Sequence, residues 1–143
     1  MLIKHELAIK QLYETFSALF TTHQNFWKAL AADEQKHADQ LGTLRSDPNL
    51  NTWLFHEGRL KLPAIKSSVE YVERQIAKAR GHTISLLEAL SIARDIENAL
   101  LEKQLAKLGD AVSSEIKSII MALAAETEKH RTTIAEALYT EKH

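Results

Sequence analysis

Apolar residues recur at steps of three and four along most of this chain, which is the spacing of one face of an α-helix. No segment sustains the alternation of apolar and polar residues that is typical of a half-buried β-strand. The predicted fold class is therefore all-α. The predicted helices run over 2–20, 26–44, 63–79 and 83–108, with a last helix that Asp110 or Ser113 caps and that ends near 139.

Local signals support the helix starts. Asn25 is a candidate N-cap for the second helix, and Ser85-x-x-Glu88 has the spacing of a capping box near the start of the fourth. Short turns join the long helices into two antiparallel hairpins, 2–44 and 83–139. The connection 45–80, which contains the short third helix, must carry the chain back across the fold. The sequence thus predicts one domain over 1–143, a four-helix bundle with one long crossover.

Composition narrows the function classes. The 143 residues carry a formal net charge of −1 with both signs interspersed, so no basic patch indicates nucleic acid or an anionic membrane. The chain has no cysteine, which excludes disulfides, thiolate zinc sites and cysteine-ligated iron–sulfur clusters. No apolar run approaches the roughly 20 residues of a membrane span. We therefore expect a cytoplasmic protein.

Polar residues interrupt the apolar stripes that should face the core. In the second helix, Glu34 and His37 stand between Leu30 and Leu41, where apolar side chains are expected. Polar residues also occupy positions on the apolar stripes of the first, fourth and fifth helices. Glu6 and Glu34 lie on either side of the first hairpin turn, and Glu97 and Thr127 lie on either side of the second at a similar separation. The two residues of each pair should therefore lie at similar heights along the bundle. The inward polar residues are Glu6, Glu34, His37, Glu97, Thr127 and His130.

Carboxylate oxygens and neutral imidazole nitrogens are the donors that iron, manganese and similar divalent ions accept in proteins. One Glu from each of two helices and Glu-x-x-His from each of the other two form the dinuclear site of di-iron and di-manganese bundles. A lone Glu-x-x-His is more often a solvated helix face. Matched polar positions on four helices favour a metal site instead.

The chain resembles the rubrerythrin-like branch of the ferritin-like di-iron carboxylate superfamily. The resemblance covers the four long helices and leaves 45–62 largely unconstrained. It is carried by Glu6 with Tyr13 and Phe16 seven and ten residues later, by the segment 26–38 with Glu34-x-x-His37, and by Glu97. It implies a ferritin-like four-helix bundle.

The resemblance also implies roles for individual residues. Glu6 and Glu97 match the single-carboxylate ligands, Glu34 a bridging carboxylate, and His37 and His130 terminal ligands of a dinuclear iron centre. Manganese or zinc are the alternative metals. The implied activity is reaction with peroxide or dioxygen, or iron handling. With no cysteine-ligated iron domain in the chain, an external electron donor would be needed, and the resemblance implies a homodimer.

One position departs from the family's pattern. The pattern requires Glu at position 127, where this chain has Thr, and a hydroxyl is a poor substitute for a bridging carboxylate. Glu126, at the edge of the stripe and four residues before His130, is the candidate replacement ligand. If Glu126 is not a ligand, the alternative hypothesis is that the chain is a non-catalytic helical module with a degraded metal site.

Two further expectations concern side chains outside the donor set. Tyr13 is expected to be a core aromatic residue. The remaining histidines lie off the stripes or in loops and are expected on the surface; they are His5, His23, His56, His82 and His143.

Overall fold

The computed structural model describes residues 2–45, 62–81, 84–99 and 114–142. Within these ranges the regular structure is helical and contains no strand, which confirms the all-α class. The α-helices are α1 Leu2–Leu19, α2 Gln24–Arg45, α3 Leu62–Arg80, α4 Leu86–Ala99 and α5 Ser114–Lys142, with one 3₁₀ turn at Thr21–His23.

The chain divides into two compact units, Met1–Thr83 and Ile84–His143. In the first unit, α1 packs against both α2 and α3. In the second, α4 packs against α5. The short helix predicted within the crossover is α3. That all of 1–143 forms one four-helix bundle stays a prediction.

The start of α2 differs from the sequence prediction. The 3₁₀ turn runs directly into the helix, and the Gln24 amide donates to the carbonyl of Thr21. The backbone is therefore already turning before Asn25, which lies in the first turn of α2. The prediction that Asn25 caps this helix is wrong.

The start of α4 lies at Leu86, three residues after the predicted Thr83, because Ser85 acts as the N-cap. The Glu88 amide donates to Ser85 Oγ at 3.1 Å, and that hydroxyl donates to Glu88 Oε1 at 3.3 Å. The Ser85–Glu88 pairing is confirmed. The predicted end at 108 and the candidate caps Asp110 and Ser113 lie outside the described residues. The last helix continues to Lys142, beyond the predicted 139.

Aromatic and branched side chains fill the core of the first unit. The rings of Phe16 and Trp27 meet edge-on with centroids 4.8 Å apart, and Tyr13 lies 5.6 Å from Trp27. All three are fully buried, so the prediction of a core Tyr13 is confirmed. Burying each such side chain contributes roughly 1.5–3 kcal/mol. The apolar stripe of α3 is buried throughout; it is Ile65, Val69, Val72, Ile76 and Ala79.

The second unit buries apolar residues of both its helices. Leu90 and Ala93 of α4 are buried, as are Ile120, Leu123 and Ile134 of α5. At the surface, Arg131 Nε donates to Asn98 Oδ1 at 2.6 Å and so links the two helices. Among the described helices, none combines the length and the apolar character that crossing a bilayer requires.

Candidate metal centre

Three buried donors converge in the first unit. His37 Nδ1 lies 3.4 Å from Glu34 Oε2 and 3.9 Å from Glu6 Oε2. One donor atom from each of the three residues lies within 4.8 Å of the others. We call Glu6, Glu34 and His37 the first donor set. Their convergence in this unit agrees with their predicted inward positions.

Helix geometry explains the convergence. Residues three apart in an α-helix lie on one face, which brings Glu34 and His37 of α2 side by side. Helix α1 packs on α2 and presents Glu6 to the same face. The core therefore surrounds these groups with protein, and all three are buried.

Burying carboxylates is costly unless hydrogen bonds or a cation compensate for their charge. Glu6 is 1% exposed, and within the described part of the chain its Oε2 atom accepts no hydrogen bond. That oxygen points towards His37 rather than towards a backbone donor. The first donor set is thus an arrangement that a cation would stabilise.

The distances also suit a shared ion. Nitrogen and oxygen ligands lie about 2.0–2.2 Å from a transition-metal ion, so two donors on one ion can be at most about 4.4 Å apart. The two distances from His37 Nδ1, 3.4 and 3.9 Å, lie within that limit. This cluster of Glu and His residues could hold a metal ion. Its mixed oxygen and nitrogen donors fit iron, manganese or zinc.

The second unit pairs one carboxylate with one imidazole. Glu97 of α4 and His130 of α5 are both buried, and His130 Nδ1 lies 3.4 Å from Glu97 Oε1. We call these two residues the second donor set. Both predicted inward positions are confirmed as buried.

Thr127 occupies the position of the missing carboxylate. It is buried, and its hydroxyl donates to the carbonyl of Leu123 at 3.1 Å, one turn earlier in α5. The side chain therefore satisfies its donor within its own helix. Among the described residues of α5, the turn before His130 places no carboxylate on the buried stripe.

Glu126, the candidate replacement ligand, lies at the edge of the stripe as predicted. Its side chain is 29% exposed, and a carboxylate oxygen lies 4.0 Å from Lys129 Nζ. A carboxylate oxygen of Glu126 also comes within 4.8 Å of a ring nitrogen of His130. Its role as a ligand stays a prediction.

His5 was predicted on the surface, and that prediction is wrong. It is 3% exposed, and its Nε2 shares a hydrogen bond of 2.8 Å with Ser68 Oγ of α3. Burial lowers the pKa of His5 to about 4, so the ring is neutral near pH 7. A signal was present in the sequence, because His5 continues the helical spacing of Ile9, Leu12 and Phe16.

The other histidines divide into two groups. His23 is exposed, as predicted, and its Nδ1 lies 3.0 Å from Thr22 Oγ1. His56, His82 and His143 lie outside the described residues.

Comparison with known proteins identifies no relative of this chain. No family model matches it. Neither a curated protein nor a solved structure matches it significantly.

Proposed function

We propose that this protein is a metal-binding, rubrerythrin-like member of the ferritin-like superfamily that holds iron, with manganese or zinc as alternatives. The observation that carries the proposal is the first donor set. Two carboxylates and an imidazole are buried together at distances that one ion can bridge. Burial of that much potential charge in a helical core is costly without a cation.

The proposed ligands come from both hairpins of the sequence. Glu6, Glu34 and His37 supply three donors, and the second donor set supplies one carboxylate and one imidazole. The resemblance noted in the sequence implies that the two sets serve one dinuclear iron centre in a ferritin-like four-helix bundle. Glu126 is the proposed additional ligand, because its carboxylate is near the His130 ring.

The proposed chemistry is reduction of peroxide or dioxygen, or storage and transfer of iron. Bound iron would supply Lewis acidity and electrons. The chain's own residues would hold the donors in fixed geometry, and their burial in the helical core would exclude water. An external electron donor would be needed.

A second candidate function rests on Thr127. Its hydroxyl is bonded to the helix backbone, and no carboxylate stands in its place. The chain would then be a non-catalytic helical module whose metal site has degraded, acting through its outer surfaces. In that case the buried carboxylates are former metal ligands that no longer bind an ion, and their removal should not destabilise the protein.

Elemental analysis of the protein, purified without an affinity tag or chelator, separates the two candidates. The metal-binding proposal expects iron or manganese to copurify, and His37→Ala to reduce the metal content strongly. The matched control is His23→Ala, which removes an exposed histidine of the same unit and should leave the metal content unchanged.

Two results would reject the metal-binding proposal. One is protein that contains no metal and takes up none from anaerobic Fe(II). The other is an equal loss of metal in His37→Ala and His23→Ala, which would indicate binding outside the buried donors. Either result would favour the non-catalytic module.

A further inference from the structure

Two consecutive residues of α1 contact different helices. Glu6 reaches the donors of α2, with its Oε2 atom 3.9 Å from His37 Nδ1. His5 reaches α3 instead, where its Nε2 shares a hydrogen bond of 2.8 Å with Ser68 Oγ. We propose that His5 and Ser68 form a positioning pair, which holds α1 in the rotation that keeps the Glu6 carboxylate beside His37 for metal binding. This inference rests on the proposed function.

The geometry of an α-helix couples the two side chains. Consecutive residues differ by about 100° around the helix axis, so a helix that contacts α2 through Glu6 presents His5 to a second neighbour. Helix α1 does pack against both α2 and α3. Both side chains are buried, with 3% of His5 and 1% of Glu6 exposed. A contact that fixes the direction of His5 therefore also fixes the direction of Glu6.

Metal binding requires the rotation of α1 to be precise. Side-chain atoms lie about 5–6 Å from the axis of their helix, so a rotation of about 10° moves them by about 1 Å. Ligand distances in a metal site vary by only about 0.2 Å. Rotation of α1 by a few degrees is therefore enough to misplace the Glu6 carboxylate relative to the donors of α2.

Apolar packing alone gives weaker control of this rotation. Helix α3 buries apolar residues on both sides of Ser68 along the chain, among them Ile65 and Val72. The hydrophobic effect is non-directional and follows the buried area, so it changes little when a helix turns by a few degrees. A hydrogen bond depends on both distance and angle. The bond between His5 and Ser68 thus adds a directional restraint that the apolar contacts lack.

The proposed role of His5 is not that of a ligand. Within the described residues, its ring joins no cluster of three or more donors that could hold an ion. Its Nε2 atom is bonded to the Ser68 hydroxyl on another helix. The pair therefore acts on the metal through Glu6, and a substitution that keeps the hydrogen bond should keep metal binding even when the imidazole is lost.

Titration of the full-length, chelator-treated protein with Co(II) tests the pair. Calorimetry gives the affinity, and the visible absorption of bound Co(II) reports the ligand geometry. Ser68→Ala removes the hydrogen bond and should weaken the affinity about tenfold, the lower end of what loss of a group that orients metal ligands costs. The absorption spectrum should change as well. His5→Leu removes the same bond from the other side and serves if Ser68→Ala does not fold, as circular dichroism would show.

Two further variants separate positioning from a merely structural role. Ile76→Val destabilises α3 by removing a buried methyl group away from Ser68, and it should leave the affinity and the spectrum unchanged. His5→Gln places an amide within reach of the Ser68 hydroxyl, and it should bind Co(II) as the wild type does.

Three results would overturn the positioning role and retain the proposed function. One is wild-type affinity and an unchanged spectrum in Ser68→Ala. Another is equal weakening in Ser68→Ala and Ile76→Val, which would indicate an effect of stability alone. The third is a loss of metal in His5→Gln as complete as in His37→Ala, which would make His5 a ligand. A wild-type protein that binds no Co(II) at all would reject the proposed function together with the positioning role.

Discussion

His130 Nδ1 lies 3.4 Å from Glu97 Oε1, so the imidazole of α5 meets its carboxylate across a helix–helix contact. His37 stands at the same distance from Glu34, but those two residues share one turn of α2. The difference arises at Thr127, where a carboxylate three residues before His130 would have reproduced the arrangement of α2.

Replacing Thr127 with Glu should restore that arrangement. In metal-free protein, Thr127→Glu adds a buried charge and should lower the free energy of unfolding by about 1–3 kcal/mol. With Co(II) present, the variant should bind more metal than the wild type or bind it more tightly. Denaturant unfolding and calorimetric titration measure the two effects.

Thr132→Glu is the matched control for this change. Thr132 is exposed on the same helix, and its hydroxyl donates to the Glu128 carbonyl at 3.1 Å, as that of Thr127 does to Leu123. Glu at position 132 should change neither stability nor binding appreciably. If Thr127→Glu behaves like this control, position 127 does not face the proposed metal ligands.

Glu34→Gln should have opposite effects without and with metal. Without metal, removal of a buried charge should leave the free energy of unfolding unchanged or raise it by about 1 kcal/mol. With metal at a hundredfold excess over Kd, the wild type should gain about 2.7 kcal/mol, which the variant should lack. Thermal and denaturant unfolding, each with and without Co(II), measure the difference.

Glu14→Gln, on the exposed face of α1, should show neither effect. A strong destabilisation of metal-free Glu34→Gln would mean that the carboxylate is a structural partner rather than a ligand. A variant as stable as the wild type under both conditions would instead support the non-catalytic module.

Ser68→Ala should destabilise the first unit. The change removes the 2.8 Å hydrogen bond to His5 Nε2 and leaves a buried ring nitrogen without that partner. We expect a loss of about 1–2 kcal/mol in the free energy of unfolding. Because burial lowers the pKa of His5 to about 4, the ring is neutral at pH 7, where denaturant unfolding should be measured.

Ser67→Ala, an exposed neighbour on the same helix, is the control and should change stability by only a few tenths of a kcal/mol, as surface substitutions usually do. Equal effects of the two variants would show that the bond between α1 and α3 contributes little.

Ser85→Ala should shorten or destabilise α4. The Ser85 hydroxyl accepts from the Glu88 amide, and loss of such an N-cap typically costs about 1 kcal/mol. Ser91→Ala is the control, since its hydroxyl only donates to the Leu87 carbonyl inside the helix. Ser85→Asp should retain most of the stability. Unfolding free energies of the three variants test whether capping, rather than the loss of any hydroxyl, is responsible.

The hydrophobic pattern predicted the helical class and the burial of most stripe positions. Glu34, His37, Glu97 and His130 could be placed inward because helical spacing is local and each residue interrupts a run of apolar neighbours. The buried residues of α3 follow the same helical spacing. What the sequence predicts best is therefore which face of a helix is buried.

The failures concern contacts that local spacing does not determine. His5 continues the spacing of Ile9 and Leu12, but it is buried because α3 covers the side of α1 on which it lies, which depends on tertiary packing. Asn25 is not a cap because the 3₁₀ turn starts the helix earlier, and Ser85 rather than Thr83 sets the start of α4. Helix ends depend on such single hydrogen bonds, so periodicity places them only within a few residues.

The position of the three donors along the chain bears on how the protein would acquire its metal. Glu6, Glu34 and His37 all precede Ile84, where the second compact unit begins. During synthesis these three residues are therefore added before any residue of the second unit. On the proposed function, a chain still being synthesised could bind an ion through these three donors, and metal supply would then influence how the first unit folds.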